Sequence, residues 1–431
     1  MFEHDDAKYL SRTIEAPSSS GGKKGTWSVW FKTANIDTDN VFFDNGTTAT
    51  NRFSLNMDAS GQIIFSHKSV TILKTSANFK GDGSWHNAVL KVDTSQGTAS
   101  NRAAMFIDGV EITSFEEDRR DDTNLSQNDE IGYMDESATQ FVGSYNGSSA
   151  NQWDGYLAEV VFLDDQYLDA SSFGQLDTST NRWVNKSVSG LTFGNCGFYL
   201  EFEGNFSSTS LGNDAGKDSS GNGNHFAQGG TWAASDQFTD TPSKNYPIVD
   251  SGNKFGSVSP AVSEGNLRFT AGGDGGGRVI TMQPTSGKWY FEIELTNTTG
   301  FYPGLITPAA FAYTGSAPWN ETSTFVILSD HPSVRYNNGG TSGSDWGAAF
   351  SNGDRMAVAW DVPNGKIYFG KAASSSVTWM SASGASGGNP ATGVGAVPFT
   401  PSLNERLYFA MMFGSNSTDA TMKFISSGWE G

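Results

Sequence analysis

The stretch Trp85–Ile112, WHNAVLKVDTSQGTASNRAAMFIDGVEI, decides the fold class. Ala88, Leu90 and Val92 fall on one face, and Val89, Lys91 and Asp93 fall on the other. That period of two predicts a half-buried strand over Ala88–Val92. Thr94–Arg102, rich in Ser, Gln, Gly, Thr and Asn, is a loop. Ala103–Ile107 is the return strand, and Asp108-Gly109 is a tight-turn dipeptide. Trp85 is a large core side chain whose indole N–H requires a partner. His86 beside it is read as a framework histidine rather than a ligand.

The same pattern extends outward. The chain has 431 residues, too many for one ordinary core, so two domains are expected. Gly, Ser, Thr and Asn are abundant, aromatics are frequent, and no long run has helical periodicity. This composition predicts an all-β protein with many turns. Residues 1–245 hold 33 of the 46 acidic side chains and 17 of the 27 basic ones, a net of −16 against −3 for the remainder. An acidic surface disfavours nucleic acid and anionic membranes as partners. Cys196 is the single cysteine, which excludes an intrachain disulfide and reads as a buried core thiol. The N-terminus, MFEHDDAKYLSRT, lacks the apolar segment of a signal peptide, and no apolar run reaches bilayer length.

Taken in order, residues 1–25 form an N-terminal arm ending in SSSGGKKG. A first β-sandwich spans 26–235, a Pro-containing linker 236–252, and a second sandwich 253–431. In the first, WSVWFK (Trp27–Lys32), Val41–Phe43, Phe53–Met57, Ile63–Ser66 and Val70–Leu73 are short strands, as in a meander or jelly roll. The acidic Phe115–Gln140 reads as a long surface loop or mobile excursion. YLAEVVFL (Tyr156–Leu163), apolar on both faces except for Glu159, is a central strand. Asp169–Leu176 is expected as a short helix with Asp169 as its N-cap. In the second half WYFEIEL alternates, with Trp289, Phe291, Ile293 and Leu295 inward and Tyr290, Glu292 and Glu294 outward. Met356–Asp361 and Ile367–Phe369 form a hairpin across Asn364-Gly365. Leu407, Phe409, Met411 and Phe413 alternate with outward neighbours, as do Met422 and Phe424.

Several of these segments resemble known families. WSVWFK, WHNAVLKVD with AMFIDGVEI, FVGS and DGYLAEVVFLDD resemble laminin-G-like, concanavalin A-like jelly-roll domains over most of residues 10–170. LGNDAGKDSSGNGNHF also occurs in that family, where it more often opens a domain; here it follows the sandwich and is placed to pair back onto it. GKWYFEIEL, GDRMAVAWDVPNGKIYFGK and LYFAMMFGS with TMKFIS resemble SPRY domains over roughly residues 250–425. The tandem, opened by YLSRT and joined by DTPSKNYPIVD, resembles structural proteins of marine tailed bacteriophages. The resemblance implies two tandem concanavalin A-like sandwiches in a virion protein.

No catalytic constellation stands out. The E-x-D-x-x-E strand motif of laminarinase-type sandwiches is missing, as are H-E-x-x-H and a P-loop. Glu292 and Glu294 share one strand face and are the best carboxylate pair; a solvated outer face is the simpler reading. Some laminin-G-like domains hold calcium at a loop rim, so the resemblance implies calcium as the candidate cofactor. Its oxygen donors here would be Asp37, Asp39, Asn40 and Asp108, or Asp214, Asp218 and Asn222, with solvated turn carboxylates as the alternative. SPRY domains recognise partners through loops at one end of the sandwich. The corresponding Gly300–Phe350 holds Tyr302, Tyr313, Trp319, His331, Tyr336, Asn337, Asn338, Asp345 and Trp346. Rings that stack on sugar faces and amides that read hydroxyls suit carbohydrate, or a protein partner; core filling is the alternative.

These readings converge on a non-enzymatic structural protein of the virion exterior, in a tail fibre, tail appendage or head decoration. Its expected partners are other virion proteins and host-surface polysaccharide. A homo-oligomer is expected, a trimer being the common phage-fibre arrangement. The alternatives are a polysaccharide-degrading enzyme on the same fold and a virion connector without glycan binding.

Overall fold

The strand Lys24–Thr33 sits at the centre of the first sandwich because both of its faces are buried. Trp27, Val29 and Phe31 enter the main core, and Thr26, Ser28, Trp30 and Lys32 point to the opposite side, all buried. The computed structural model describes the chain except for residues 4–5, 15, 19–20, 35–38, 47–50, 136–137, 149–150, 322–323, 328–334, 338–339, 343–348, 374–375, 382–385, 399–405, 416 and 424–431, and the side chains of 325–327, 335–337, 340–342, 398 and 423. It divides into two compact units, Met1–Asn245 and Tyr246–Gly431. Both are all-β with antiparallel pairing, and among the described residues no helix is long and apolar enough to cross a membrane.

In the first unit one sheet of six strands runs in the order Phe198–Leu200, Gly155–Asp164, Lys24–Thr33, His86–Asp93, Ala103–Ile107, Val110–Glu111. The facing sheet has eight, from Phe115–Asp118 through Val70–Thr75, Ile63–His67, Phe53–Met57, Asn40–Asp44, Thr139–Val142 and Tyr9–Thr13 to Ala227–Gly229. The opening stretch folds as read: Ala88 pairs with Ile107 and Val92 with Ala103. Asp108 and Gly109 both take positive φ, 49° and 82°, the backbone that a two-residue hairpin turn following the strand twist requires. Gly109 has a second constraint, since a Cβ there would lie 2.7 Å from the ring of Trp183. Gly109→Ala is therefore expected to lower the stability of the first unit by about 1–2 kcal/mol, measured by denaturant unfolding. The Val89 face is not solvated. Val89, Ala104, Phe106, Val161, Leu163 and Tyr199 meet a cover formed by Ala170, Phe173, Val188 and Phe193, which explains why YLAEVVFL is apolar on both faces.

Three expectations change. The helix expected at Asp169–Leu176 is a single 3-10 turn, Ala170–Ser172, followed by the strand Gly174–Asp177. Asp169 makes no capping hydrogen bond and pairs with Lys91 instead. The acidic Phe115–Gln140 is not an excursion, because it enters the core through Leu125, Ile131, Tyr133 and Met134. Residues 1–25 carry a sheet strand, Tyr9–Thr13, and the buried Phe2, Lys8, Leu10 and Arg12. The turn DSSGNGNH does fold back onto the first sandwich. Asp218 accepts from the backbone N–H groups of Tyr199, Ser220 and Asn224. Asn222 and Asn224 hold the carbonyl oxygens of Gly194, Asn195 and Gly197, so these side chains are turn framework.

The second unit has a seven-stranded sheet, Val249–Gly256, Gly276–Ile280, Tyr408–Phe413, Phe301–Ile306, Thr324–Ile327, Arg335–Asn337 and Gly340–Ser342. Its partner runs Ala261–Ser263, Arg268–Thr270, Asp419–Lys423, Lys288–Asn297, Arg355–Asp361, Lys366–Ala373 and Ser376–Trp379, with Val397–Pro398 beside Lys366–Ala373. Phe291, Ile293 and Leu295 are buried as expected, but Trp289 is 39 % exposed. It lies at the start of its strand and closes the preceding turn, its indole N–H donating to the Ser286 carbonyl. Residues 409–413 are all buried, because Ala410 and Met412 share an outer apolar face with Phe255, Tyr302 and Ile306, covered by Ala310, Phe311 and Trp319. Phe424 lies outside the described residues.

Candidate functional site

The structure separates the residues named from sequence. Tyr302 is buried and stacks on Trp319, with centroids 4.4 Å apart and planes 1° from parallel. The indole rests on Gly414, where a Cβ would fall 2.5 Å from the ring. Both rings belong to the covered apolar face, so Tyr302 is framework and not a binding residue. Tyr313 folds over its own loop, its hydroxyl accepting from the backbone N–H of Ala317 at 3.3 Å. His331, Asn338, Asp345 and Trp346 lie outside the described residues, and of Tyr336 and Asn337 only the strand Arg335–Asn337 is described.

The proposed calcium donors do not form one cluster among the described residues, where no group of three or more His, Cys, Asp or Glu side chains could hold a metal. Asp39 is exposed and accepts from the Ala59 N–H. Both oxygens of Asp108 are engaged, one by His86 Nδ1 at 2.7 Å and the other by the Asn87 N–H at 2.8 Å. Asp108 is thus a latch for His86 rather than a ligand. Asp37 lies outside the described residues.

A more promising surface lies on the outer face of the second unit's sheet. Strand register places Glu292 beside Ala357, Ala357 beside Gly370 and Gly370 beside Trp379, and it places Tyr290 beside Ala359. Small side chains at 357, 359 and 370 leave a low floor, and aromatic rings fold across it from both sides. Tyr290 and Trp379 meet edge to face with centroids 6.2 Å apart. Gly370 permits this, since a Cβ there would approach Val377 to 2.6 Å and the Trp379 ring to 3.0 Å. Both rings are half-buried.

The polar side of this surface is a three-residue relay. Tyr290 donates its hydroxyl to Glu292 Oε1 at 2.6 Å, and Arg355 Nη1 donates to Oε2 at 3.1 Å. Burial and the adjacent Glu292 push the Tyr290 hydroxyl well above the ordinary phenol range. Glu292 does share the outer face with Glu294, but it is 6 % exposed and not the solvated carboxylate expected. Arg355 extends to the rim, 41 % exposed. The ensemble offers two ring faces and charged hydrogen-bond donors, with no unengaged acid or base at Glu292. Sequence reasoning found Glu292 but missed Arg355 and Trp379. The available signal was the pair of alanines at alternate positions in RMAVAWD together with the single glycine of KIYFGK, which marks a face shaped to receive large neighbours.

Residues 8–170 match the family described as the concanavalin A-like lectin/glucanases superfamily, laminin G type. The chain is all-β, and its first unit is of concanavalin A type over the matched residues. Similar solved structures include the SPRY domain of human HERC1, 15 % identical with a TM-score of 0.31, covering 42 % of this chain and 99 % of that one. The TRIM65 PSpry domain is 10 % identical with a TM-score of 0.31, covering 42 % of this chain and 92 % of that one. The native heptameric SAP-like pentraxin of Limulus polyphemus is 14 % identical with a TM-score of 0.27, covering 37 % and 71 %. No curated protein matches the chain.

Proposed function

We propose that this chain is a non-enzymatic structural protein of a bacteriophage exterior, in a tail fibre, tail appendage or head decoration, that contacts host-surface glycan. The observation that carries the binding reading is the surface built from Tyr290, Trp379, Glu292 and Arg355. Its half-buried rings suit the apolar face of a sugar, and its guanidinium suits hydroxyls or carboxylates at the rim. Engagement of both Glu292 oxygens argues against a retaining glycosidase, which needs one carboxylate as nucleophile and a second as acid about 5–5.5 Å away. The resemblance of the tandem to phage structural proteins supports the virion placement. Its partners would be neighbouring virion proteins and copies of itself, and weak single-site contacts would add through avidity.

Gradient-purified particles are expected to contain the protein, and a glycan array probed with it should show binding to host-type polysaccharide. Trp379→Ala should weaken that binding roughly tenfold or more, the cost of removing an aromatic anchor. Particles without the protein would end the virion placement. An unchanged affinity in Trp379→Ala would move the glycan site elsewhere.

A further inference from the structure

The first unit holds a buried lysine pressed between a carboxylate and a side-chain amide. Lys32, at the outer end of the strand Lys24–Thr33, has a side chain with no exposure, and Asp240 is 6 % exposed. Lys32 Nζ lies 2.6 Å from Asp240 Oδ2 and 2.9 Å from Asn245 Oδ1. The amide carbon of Asn245 is one bond beyond that oxygen. Trp85 donates its indole N–H to the other oxygen of Asp240 at 2.7 Å and so orients the carboxylate. Aromatic rings close the site. Tyr156 lies 5.5 Å from the lysine nitrogen, and its own ring is flanked by Trp85 at 6.3 Å and Phe238 at 5.6 Å.

An ordinary buried ion pair needs only the lysine and the carboxylate. Here a third group, an amide, is held in hydrogen-bond contact with the amine, and its carbon is the electrophile nearest to Nζ along that contact. We propose that Lys32 and Asn245 form an intramolecular isopeptide bond, with Asp240 as the proton carrier. Lys32 gives a proton to Asp240, and its freed lone pair attacks Cγ of Asn245. The Nζ–Cγ bond forms, the carbonyl oxygen takes the charge, and the collapse of that carbon breaks Cγ–Nδ2. Of the three protons of the lysine ammonium, one stays on the new amide nitrogen and two leave with Nδ2, relayed by Asp240, so ammonium departs. Nothing is oxidised or reduced and no co-reactant is required.

The surroundings favour this chemistry. Burial pushes the Lys32 pKa down, although Asp240 opposes the shift, so the amine is closer to its neutral, nucleophilic form. Holding amine and amide in contact removes the entropic cost of bringing them together. The product would tie a central strand of the first sandwich to Asn245, the last residue of the unit, across 213 positions of chain. Such a clasp would keep the unit closed under load or in denaturant.

The test is mass spectrometry of the full-length protein purified in its folded state. The intact mass should be lower than the sequence mass by one ammonia, and peptide mapping should recover the Lys32 peptide joined to the Asn245 peptide. Asn245→Ala and Asp240→Asn should both carry their full sequence mass and yield unlinked peptides. Recovery of the wild-type Lys32 and Asn245 peptides unlinked would overturn the proposal, whether or not either variant folds. So would an ammonia deficit that maps elsewhere, such as a succinimide at Asn364-Gly365, or a water deficit that maps to a linkage from Lys32 to Asp240.

Discussion

Trp27→Ala is expected to lower the stability of the first unit by about 3–5 kcal/mol, the range for deleting a large buried aromatic side chain. Trp27 has no exposed surface and joins the two sheets. It stacks on Phe162 of the neighbouring strand at 4.8 Å and on Phe53 of the facing sheet at 4.6 Å. Tyr133 meets its edge at 5.8 Å. Each such pair contributes roughly 0.5–1.5 kcal/mol beyond the area it buries, so truncation removes several favourable contacts and leaves a cavity between the layers. Trp27→Phe separates volume from polarity. The indole nitrogen has no hydrogen-bond partner among the described residues, so the phenyl ring loses some packing but removes an unpaired buried donor. It should cost well under half as much as alanine. With two units in the chain, a single unfolding curve mixes transitions. Pulse proteolysis with peptides mapped to residues 1–245 reads the first unit alone. A cost below about 1 kcal/mol for alanine would show that this aromatic stack does not hold the sheets together.

How much of this was legible in advance depends on the range of the interaction. Ala88, Leu90 and Val92 reach the core as their spacing predicts, and Asp108-Gly109 forms its turn, because strand period and turn backbone are properties of adjacent residues. The same spacing misjudged the opposite face. The spacing puts Val89 on the outer face, yet it lies under a cover drawn from residues 170–193, which no local pattern announces. Tyr133 was hidden by its acidic neighbours, although it packs against Trp27, Phe43, Phe53 and Phe162. Trp85 shows the limit most clearly. Its chemistry demanded a partner for its N–H, but that partner, Asp240, is 155 positions away. For the site, the aromatic content of Gly300–Phe350 was a property of composition, and composition does not distinguish a ring that offers its face from one stacked on a neighbour. Tyr302 and Trp319 are of the second kind. The surface at Tyr290 and Trp379 depends on which residues become cross-strand neighbours, and that follows from register.

Stability of the first unit should fall on both sides of a pH near 6.5, with two histidines responsible for opposite limbs. His86 is held between Asp108, 2.7 Å from Nδ1, and Asp82, 3.1 Å from Nε2. Burial lowers its proton affinity, but the hydrogen bonds and charges of the two carboxylates outweigh this and raise its pKa to about 9. A folded-state pKa above the unfolded one means that the folded protein holds the proton more tightly. The contribution is complete below pH 6.5 and is lost as pH rises through 9. His67 has the reverse sign. It is fully buried, and neither ring nitrogen has a partner among the described residues. Burial, aided by Lys68 and opposed by Asp129, lowers its pKa to about 4. The folded state excludes the proton, so stability is complete above pH 6.5 and is lost as pH falls toward 4. Each limb corresponds to roughly 3 kcal/mol, at about 1.4 kcal/mol per pKa unit. Urea unfolding of the first unit from pH 4 to 9 would measure both limbs. His86→Gln should flatten the alkaline limb and leave the acid one. His67→Phe should reduce the acid limb, the remainder coming from carboxylates, and raise stability at neutral pH by removing an unpaired buried polar ring. An alkaline limb that survives His86→Gln would mean the Asp82–His86–Asp108 latch does not carry an imidazolium, and its hydrogen bonds would then be those of a neutral ring.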